Sequence, residues 1–296
     1  MHGIRGILLR SVFQVSARAY SSSNALATLR RKTGYTISNC KKALDLHQNN
    51  IVEAEKWLDD QAQAMGWSKA EKLEGRKTQQ GLIGVLVREN CGVMLEVNCE
   101  TDFVARNRTF QDFLSASSNT CWEYIRENIN NDLDVSQKNL SGDELKTLLA
   151  RDGKTLTDHL AILIGTVGEN ATLRRGIGFK SEYKSIFLSG YAHPPQSNRD
   201  GFAFGKFGAI VAFRRIDTPQ DLMLERRICQ HIVGMNPKKI GKKNIDIANV
   251  NADNEDILIY QEYIADTSKT VGEVLDESRL QVLNYTRFEC GEESDS

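Results

Sequence analysis

The chain has 296 residues, 40% of them apolar, and a net charge of −1. That is apolar material for two or three modest cores, and the near-neutral balance argues against general nucleic-acid binding, which needs a basic excess or a concentrated basic face. No stretch approaches the roughly 20 apolar residues of a membrane helix, and the six cysteines contain no C-x-x-C pair, which leaves neither a zinc site nor a compact disulfide framework.

The average hides a polarity along the chain. No acid precedes Asp45, while Arg5, Arg10, Arg18, Arg30, Arg31 and Lys32 all do. The first twenty-odd residues are Ser-rich and Arg-bearing, and Ile4, Ile7, Leu8, Val12 and Val15 can share one helical face. That composition predicts a mitochondrial transit peptide over residues 1–22, with Arg18-Ala19-Tyr20 before Ser21 as a matrix-protease-like site.

Three short helices are predicted over residues 24–65. Leu26 and Leu29 lead to Gly34 as a helix stop, and Thr36 can cap a second helix that buries Ile37, Cys40 and Leu44. Asn50 with Glu53 reads as a capping box for the third, whose Ile51, Ala54, Leu58, Ala62 and Met65 form an apolar stripe. So small a bundle resembles the ubiquitin-associated fold, which docks on partners. The charged residues that follow predict a linker over 66–80.

Leu82 to Arg88 and Gly92 to Cys99 then predict a hairpin around Glu89-Asn90-Cys91. In its second strand Val93, Leu95 and Val97 alternate with Met94, Glu96 and Asn98, the period of a half-buried strand. From Thr109, Phe110, Phe113, Leu114, Trp122, Ile125 and Ile129 recur at helical spacing. Asp102 and Phe103 therefore sit on a strand-to-helix connection, where a scaffold can hold side chains out toward a partner. A polar interval over 130–143 leads to a helical pattern at Leu145, Leu148 and Leu149 and at Leu156 to Leu160. Strands over 177–193 and 206–215, a helix near 220–233 and a final strand from Val282 to Cys290 repeat the plan. The organisation expected is a bundle followed by two related α+β subdomains with antiparallel sheets, over 81–176 and 177–290, and an acidic tail over 291–296.

No constellation for bond-making chemistry is present. Gly201 to Phe207 looks like a phosphate loop but is one residue short and lacks Ser or Thr after Lys206, so it reads better as a strand lead-in. His2, His47, His159, His193 and His231 never fall at metal-ligand spacing, and neither cofactor nor metal is expected.

The run Met94 to Phe110, with Glu96-Val97-Asn98-Cys99-Glu100-Thr101-Asp102-Phe103-Val104-Ala105 at its centre, resembles the signature of the elongation factor Ts family, the nucleotide-exchange factors of elongation factor Tu. Further islands agree in order: Leu29 to Gly34 with Asn39 to Leu44, Gly168-Glu169-Asn170 with Arg174-Arg175, Ile228 to His231, and Ser268 to Gly272 with Arg287 to Glu289. The resemblance implies an exchange factor rather than an enzyme, with mitochondrial elongation factor Tu as partner, foremost its GTPase domain. It implies contacts from Asp102 and Phe103 as a wedge, with Thr101 and Val104 beside them, from His231, and from Leu29, Arg30, Thr33 and Gly34 in the bundle. Glu96, Asn98 and Cys99 would support the wedge, and Glu169, Asn170, Arg174 and Arg175 would set architecture. Bacterial members insert a dimerising helical hairpin before the Ser-Lys-Thr-Val-Gly block. The short, polar Pro237 to Thr267 departs from that, as in mitochondrial members, and speaks for a 1:1 heterodimer rather than a homodimer. The rival reading is a matrix adaptor that binds protein or RNA without exchange activity; it predicts binding with no acceleration of nucleotide release.

Overall fold

A computed structural model describes residues 24–33, 35, 37–129, 133–197, 202–215 and 221–293. The expected transit peptide, Gly34, Thr36 and the last residues of the acidic tail lie outside them.

Helix α1 (24–33), α2 (Ile37–Leu46) and α3 (Ile51–Leu73) bury Leu29, Cys40, Ala43, Leu44, Ala54 and Leu58 between them. Asn50 caps α3 by accepting from the amides of Val52 and Glu53. Two residues expected inside, Ile37 and Met65, are exposed. The segment expected as a linker is helical as far as Leu73, because α3 continues past the bundle and lies on α7 (Leu156–Val167). Glu71 and Lys72 face solvent while the close approach is made by small residues. A Cβ on Gly66 would fall 1.9 Å from the carbonyl oxygen of Ala161, and Gly165 stands opposite, its own Cβ position 3.1 Å from the Gly66 Cα. Gln63 Nε2 donates to Asp158 at 2.8 Å and Lys69 Nζ to the Gly165 carbonyl at 2.9 Å, fixing the seat at both ends.

Strands β1 (Gln80–Arg88) and β2 (Cys91–Cys99) form the hairpin around a two-residue turn, with Glu89 at φ 54°. After them come α4 (Asp102–Ala105), α5 (Arg108–Asn128), β3 (Ser136–Ser141), α6 (Gly142–Thr147), α7 and β4 (Ala171–Lys180). The second half supplies β5 (Ile186–His193), β6 (Gln196–Ser197), β7 (Phe202–Gly205), β8 (Phe207–Arg215), α8 (Leu222–Met235), β9 (Glu262–Tyr263), β10 (Asp266–Thr270), α9 (Val271–Glu277) and β11 (Leu280–Glu289).

These strands make an antiparallel six-stranded sheet in the order β3-β4-β2-β1-β7-β6 and a three-stranded sheet β11-β8-β5, with β9 and β10 as a separate ribbon. The expected division at 176/177 is not a structural seam: β4 crosses it, and β6 and β7 of the second half extend the first sheet. The two sheets pack face to face through Ile83, Val85, Met94 and Phe179 on one side and Leu188, Ile210, Ala212 and Phe288 on the other. Helices α5 and α7 cover the outer face of the large sheet, and α8 and α9 that of the small one. The result is four layers, helix–sheet–sheet–helix.

That layering corrects one expectation. β2 is buried along its whole length, not half-buried, because Met94, Glu96 and Asn98 face the second sheet instead of water. The chain must then neutralise a buried carboxylate, and it does so next to the functional turn.

Candidate functional site

Where β2 leaves the sheet, four residues in succession are gripped or displayed. Glu100 accepts from the Asn170 amide at 2.7 Å and pairs with Arg76 at 3.4 Å. Thr101 is the N-cap of α4: its Oγ1 accepts from the Val104 amide at 3.4 Å and donates to Glu169 at 2.8 Å, while its own amide donates to Glu169 at 3.0 Å. Asp102 opens the helix between two cations, with Arg106 at 2.6 Å and Lys206 at 3.4 Å. Val104 and Ala105 sink into the core and anchor the turn.

Phe103 is left 87% exposed on this anchored turn. A ring that size supplies ~1.5–3 kcal/mol when removed from water. Folding does not use that energy here, so it stays available to whatever covers the ring.

Below the turn, the fully buried carboxylate of Glu96 gathers its partners from three places. Its Oε2 accepts from Arg175 Nε at 2.7 Å, and its Oε1 accepts from Arg174 at 3.3 Å, from Asn98 at 3.1 Å and from the amide of Gly291 at 2.8 Å. Arg175 also stacks 4.0 Å over Phe288 and reaches Glu292 at 2.7 Å. A buried charge is tolerated only when it is saturated in this way.

The other expected contacts fall elsewhere. His231 is wholly buried on the inner side of α8. Its Nε2 meets Gln261 Oε1 at 2.9 Å and its Nδ1 accepts from the Ile264 amide at 3.3 Å, a pattern that requires the neutral Nε2–H tautomer. Burial lowers its pKa. It ties α8 to the ribbon instead of facing outward. Leu29 is likewise core, not surface, and the Thr33 hydroxyl turns back to the Leu29 carbonyl at 2.7 Å. Arg30 is exposed, and Gly34 lies outside the described residues. The structure thus brings Thr101, Asp102, Phe103 and Val104 together and sets His231 and Leu29 inside the scaffold.

Three residues that hold the turn were not singled out for it. Glu169 and Asn170, to which the resemblance gives an architectural part, bind Thr101 and Glu100 directly. Lys206 stood in the glycine-flanked run before β8, where a single lysine between two apolar strands was the available signal. Among the described residues no group of three His, Cys, Asp or Glu side chains could hold a metal ion, and no helix is long and apolar enough to cross a membrane. Five of the six cysteines are buried and none is disulfide-bonded; burial pushes the thiols of Cys91, Cys99, Cys121, Cys229 and Cys290 up to about 12.

Comparison with known proteins bears on most of this chain. The family model described as "Elongation factor Ts, mitochondrial, N-terminal" matches residues 9–68, and that described as "Elongation factor TS" matches residues 100–257, the exposed turn included. Among curated relatives, "Elongation factor Ts, mitochondrial" of Aedes aegypti is 52% identical over 93% of this chain and 90% of its own. The protein of the same name from Drosophila melanogaster is 49% identical over 92% and 86%. That from Rattus norvegicus is 39% identical over 92% and 84%.

Proposed function

Because the chain belongs to the elongation factor Ts family, in its mitochondrial branch, we propose that it releases GDP from mitochondrial elongation factor Tu. The observation that carries this reading is Phe103, an aromatic ring left in water on a turn whose neighbours are all fixed.

A GTPase holds its nucleotide through a phosphate cradle and Mg²⁺. An exchange factor makes and breaks no covalent bond. It binds the nucleotide-free partner more tightly than the nucleotide-bound one, and linkage requires nucleotide to weaken the factor by the same ratio. Phe103 enters the partner as a wedge beside the cradle, Asp102 takes hydrogen bonds next to it, and both disturb the Mg²⁺ environment. The four layers behind α4 resist the recoil. Arg30 and the exposed face of the helical bundle add a second area of contact, while His231 keeps α8 in place from within.

The complex is a 1:1 heterodimer that GTP rebinding takes apart. Between Pro237 and Thr267 the chain has two three-residue 3-10 helices, Ala252–Asn254 and Leu258–Tyr260, and the start of the β9–β10 ribbon but no α-helix, which supports the absence of a dimerising helical hairpin. Residues 1–22 serve as the mitochondrial leader.

The test is release of a fluorescent GDP from mitochondrial elongation factor Tu. Wild type should accelerate it, and Phe103→Ala should weaken the stimulation ~10- to 100-fold, the equivalent of a lost buried ring. A folded wild type that binds elongation factor Tu without hastening release would sink the exchange reading and leave an adaptor.

A further inference from the structure

Lys206 stands alone between β7 and β8, and at that residue the chain leaves the six-stranded sheet for the three-stranded one. Its backbone is held on both sides: its amide donates to the His193 carbonyl at 2.7 Å, and its carbonyl accepts from the Cys290 amide at 2.8 Å. Gly205 before it has no room for a side chain, since a Cβ would lie 2.5 Å from the His193 oxygen. The corner therefore points the Lys206 side chain from a fixed root. Its ammonium reaches Gln80 Oε1 at 3.1 Å and Asp102 Oδ1 at 3.4 Å.

Helix α4 has four residues, too few to hold a direction by itself. Glu100 and Thr101 are gripped by Asn170 and Glu169 from the turn before β4. Asp102 is gripped from the opposite side, by the corner that joins the two sheets. Its two cations differ in kind. Arg106 belongs to the same short stretch of chain and its side chain is 77% exposed, so it can let go at little cost. Lys206 is two-thirds covered, and Gln80 also holds it.

We propose that Lys206 is a positioning residue for the Asp102–Phe103 wedge, clamping the first turn of α4 to the sheet-to-sheet corner so that the ring enters the partner at one angle. Arg106 is the cation that yields when partner donors approach the Asp102 carboxylate, and Lys206 is the one that stays. The inference rests on the exchange reading. It concerns the limiting rate more than affinity, because a loose wedge still finds its site but disturbs the nucleotide less often.

The experiment titrates the full chain to saturation against elongation factor Tu loaded with fluorescent GDP. It compares wild type with Lys206→Met, Lys206→Arg, Arg106→Met, Asp102→Asn and the Lys206→Met/Asp102→Asn pair. Lys206→Met should lower the limiting rate about 3- to 10-fold while the half-saturating concentration moves less than about twofold. Arginine at 206 should restore most of the rate, and Arg106→Met should cost less than about twofold. The double variant should be no slower than Asp102→Asn alone, since the negative charge that Lys206 pairs with is already gone. Losses that add in the double variant overturn the proposal, because Lys206 would then act on the partner or on folding in its own right. A Lys206→Met protein as fast as an active wild type overturns it as well. A wild type that does not stimulate release removes the exchange reading with it.

Discussion

At the scale of single residues, burial decides what a side chain can do for a partner. His231 is the clearest case. Its neutral imidazole accepts from the Ile264 amide, so a proton on Nδ1 would meet an N–H, and desolvation by burial separately lowers its pKa. The folded state then binds the proton less readily than the unfolded chain, whose histidine titrates near about 6.5. The stability that His231 contributes is full above that value and is lost as the pH falls below it. Melting temperature measured from pH 7.5 to 5.5 should therefore drop for wild type and drop less for His231→Asn, which does not titrate there. At pH 7.5 His231→Asn should still support exchange wherever it is folded. A loss of stimulation without loss of stability would instead restore a direct contact. Glu169 works the other way, from below the turn to the display of Phe103. Glu169→Ala removes the acceptor for both the amide and hydroxyl of Thr101, hydrogen bonds to a charged group worth about 1.5–3 kcal/mol. Stimulated release should weaken, and amide exchange at Val104 should quicken.

Elements were legible where apolar residues recurred at strand or helix spacing over a long enough run. The hairpin, the helix after Thr109, α8 and the last strand all stand within two or three residues of their expected places. What escaped did so for physical reasons. β3 is an edge strand paired only with β4, and of its Ser-Gln-Lys-Asn-Leu-Ser only Ser136 and Leu140 are buried, so it has no apolar alternation to read. α3 hid its second half because the contact with α7 is made by Gly66 and Ala62, whose side chains say little, under a charged outer face. α9 is seven residues long and announced mainly by the Thr270–Glu273 capping box. The display of Phe103 was legible as a motif, but the grip on it was not, since Glu169, Lys206 and Arg76 are brought there by tertiary pairing. The seat of α3 is itself testable. Gly66→Ala must push α3 off the Ala161 carbonyl, and overpacking of that kind costs about 1–3 kcal/mol. Chemical denaturation should report the loss, and limited proteolysis should open the chain between 66 and 80 first.

In the whole molecule, the layers meet at Glu96. Its carboxylate joins β2 to Arg174 and Arg175 on β4 and to the backbone just past β11, and so bonds the large sheet to the end of the small one. Glu96→Ala takes the shared carboxylate away from Arg174 and from Arg175, which lies over Phe288. Removing one partner of a buried ion pair costs about 3–5 kcal/mol, and the lower figure applies here because both arginines reach water. Denaturant titration should show that loss, and Glu96→Gln, which keeps the hydrogen bonds to Asn98 and Gly291 in reach, should lose less. The unbroken run of α3 from the bundle onto α7 has a consequence for association itself. A partner that touches both the bundle and the Phe103 turn meets one rigid object, so the translational and rotational freedom lost on binding is surrendered once for both areas. Were the Gly66–Gly165 seat to open, the bundle would become a tethered module. Its second contact would then be worth only the effective concentration its tether allows, on the order of millimolar.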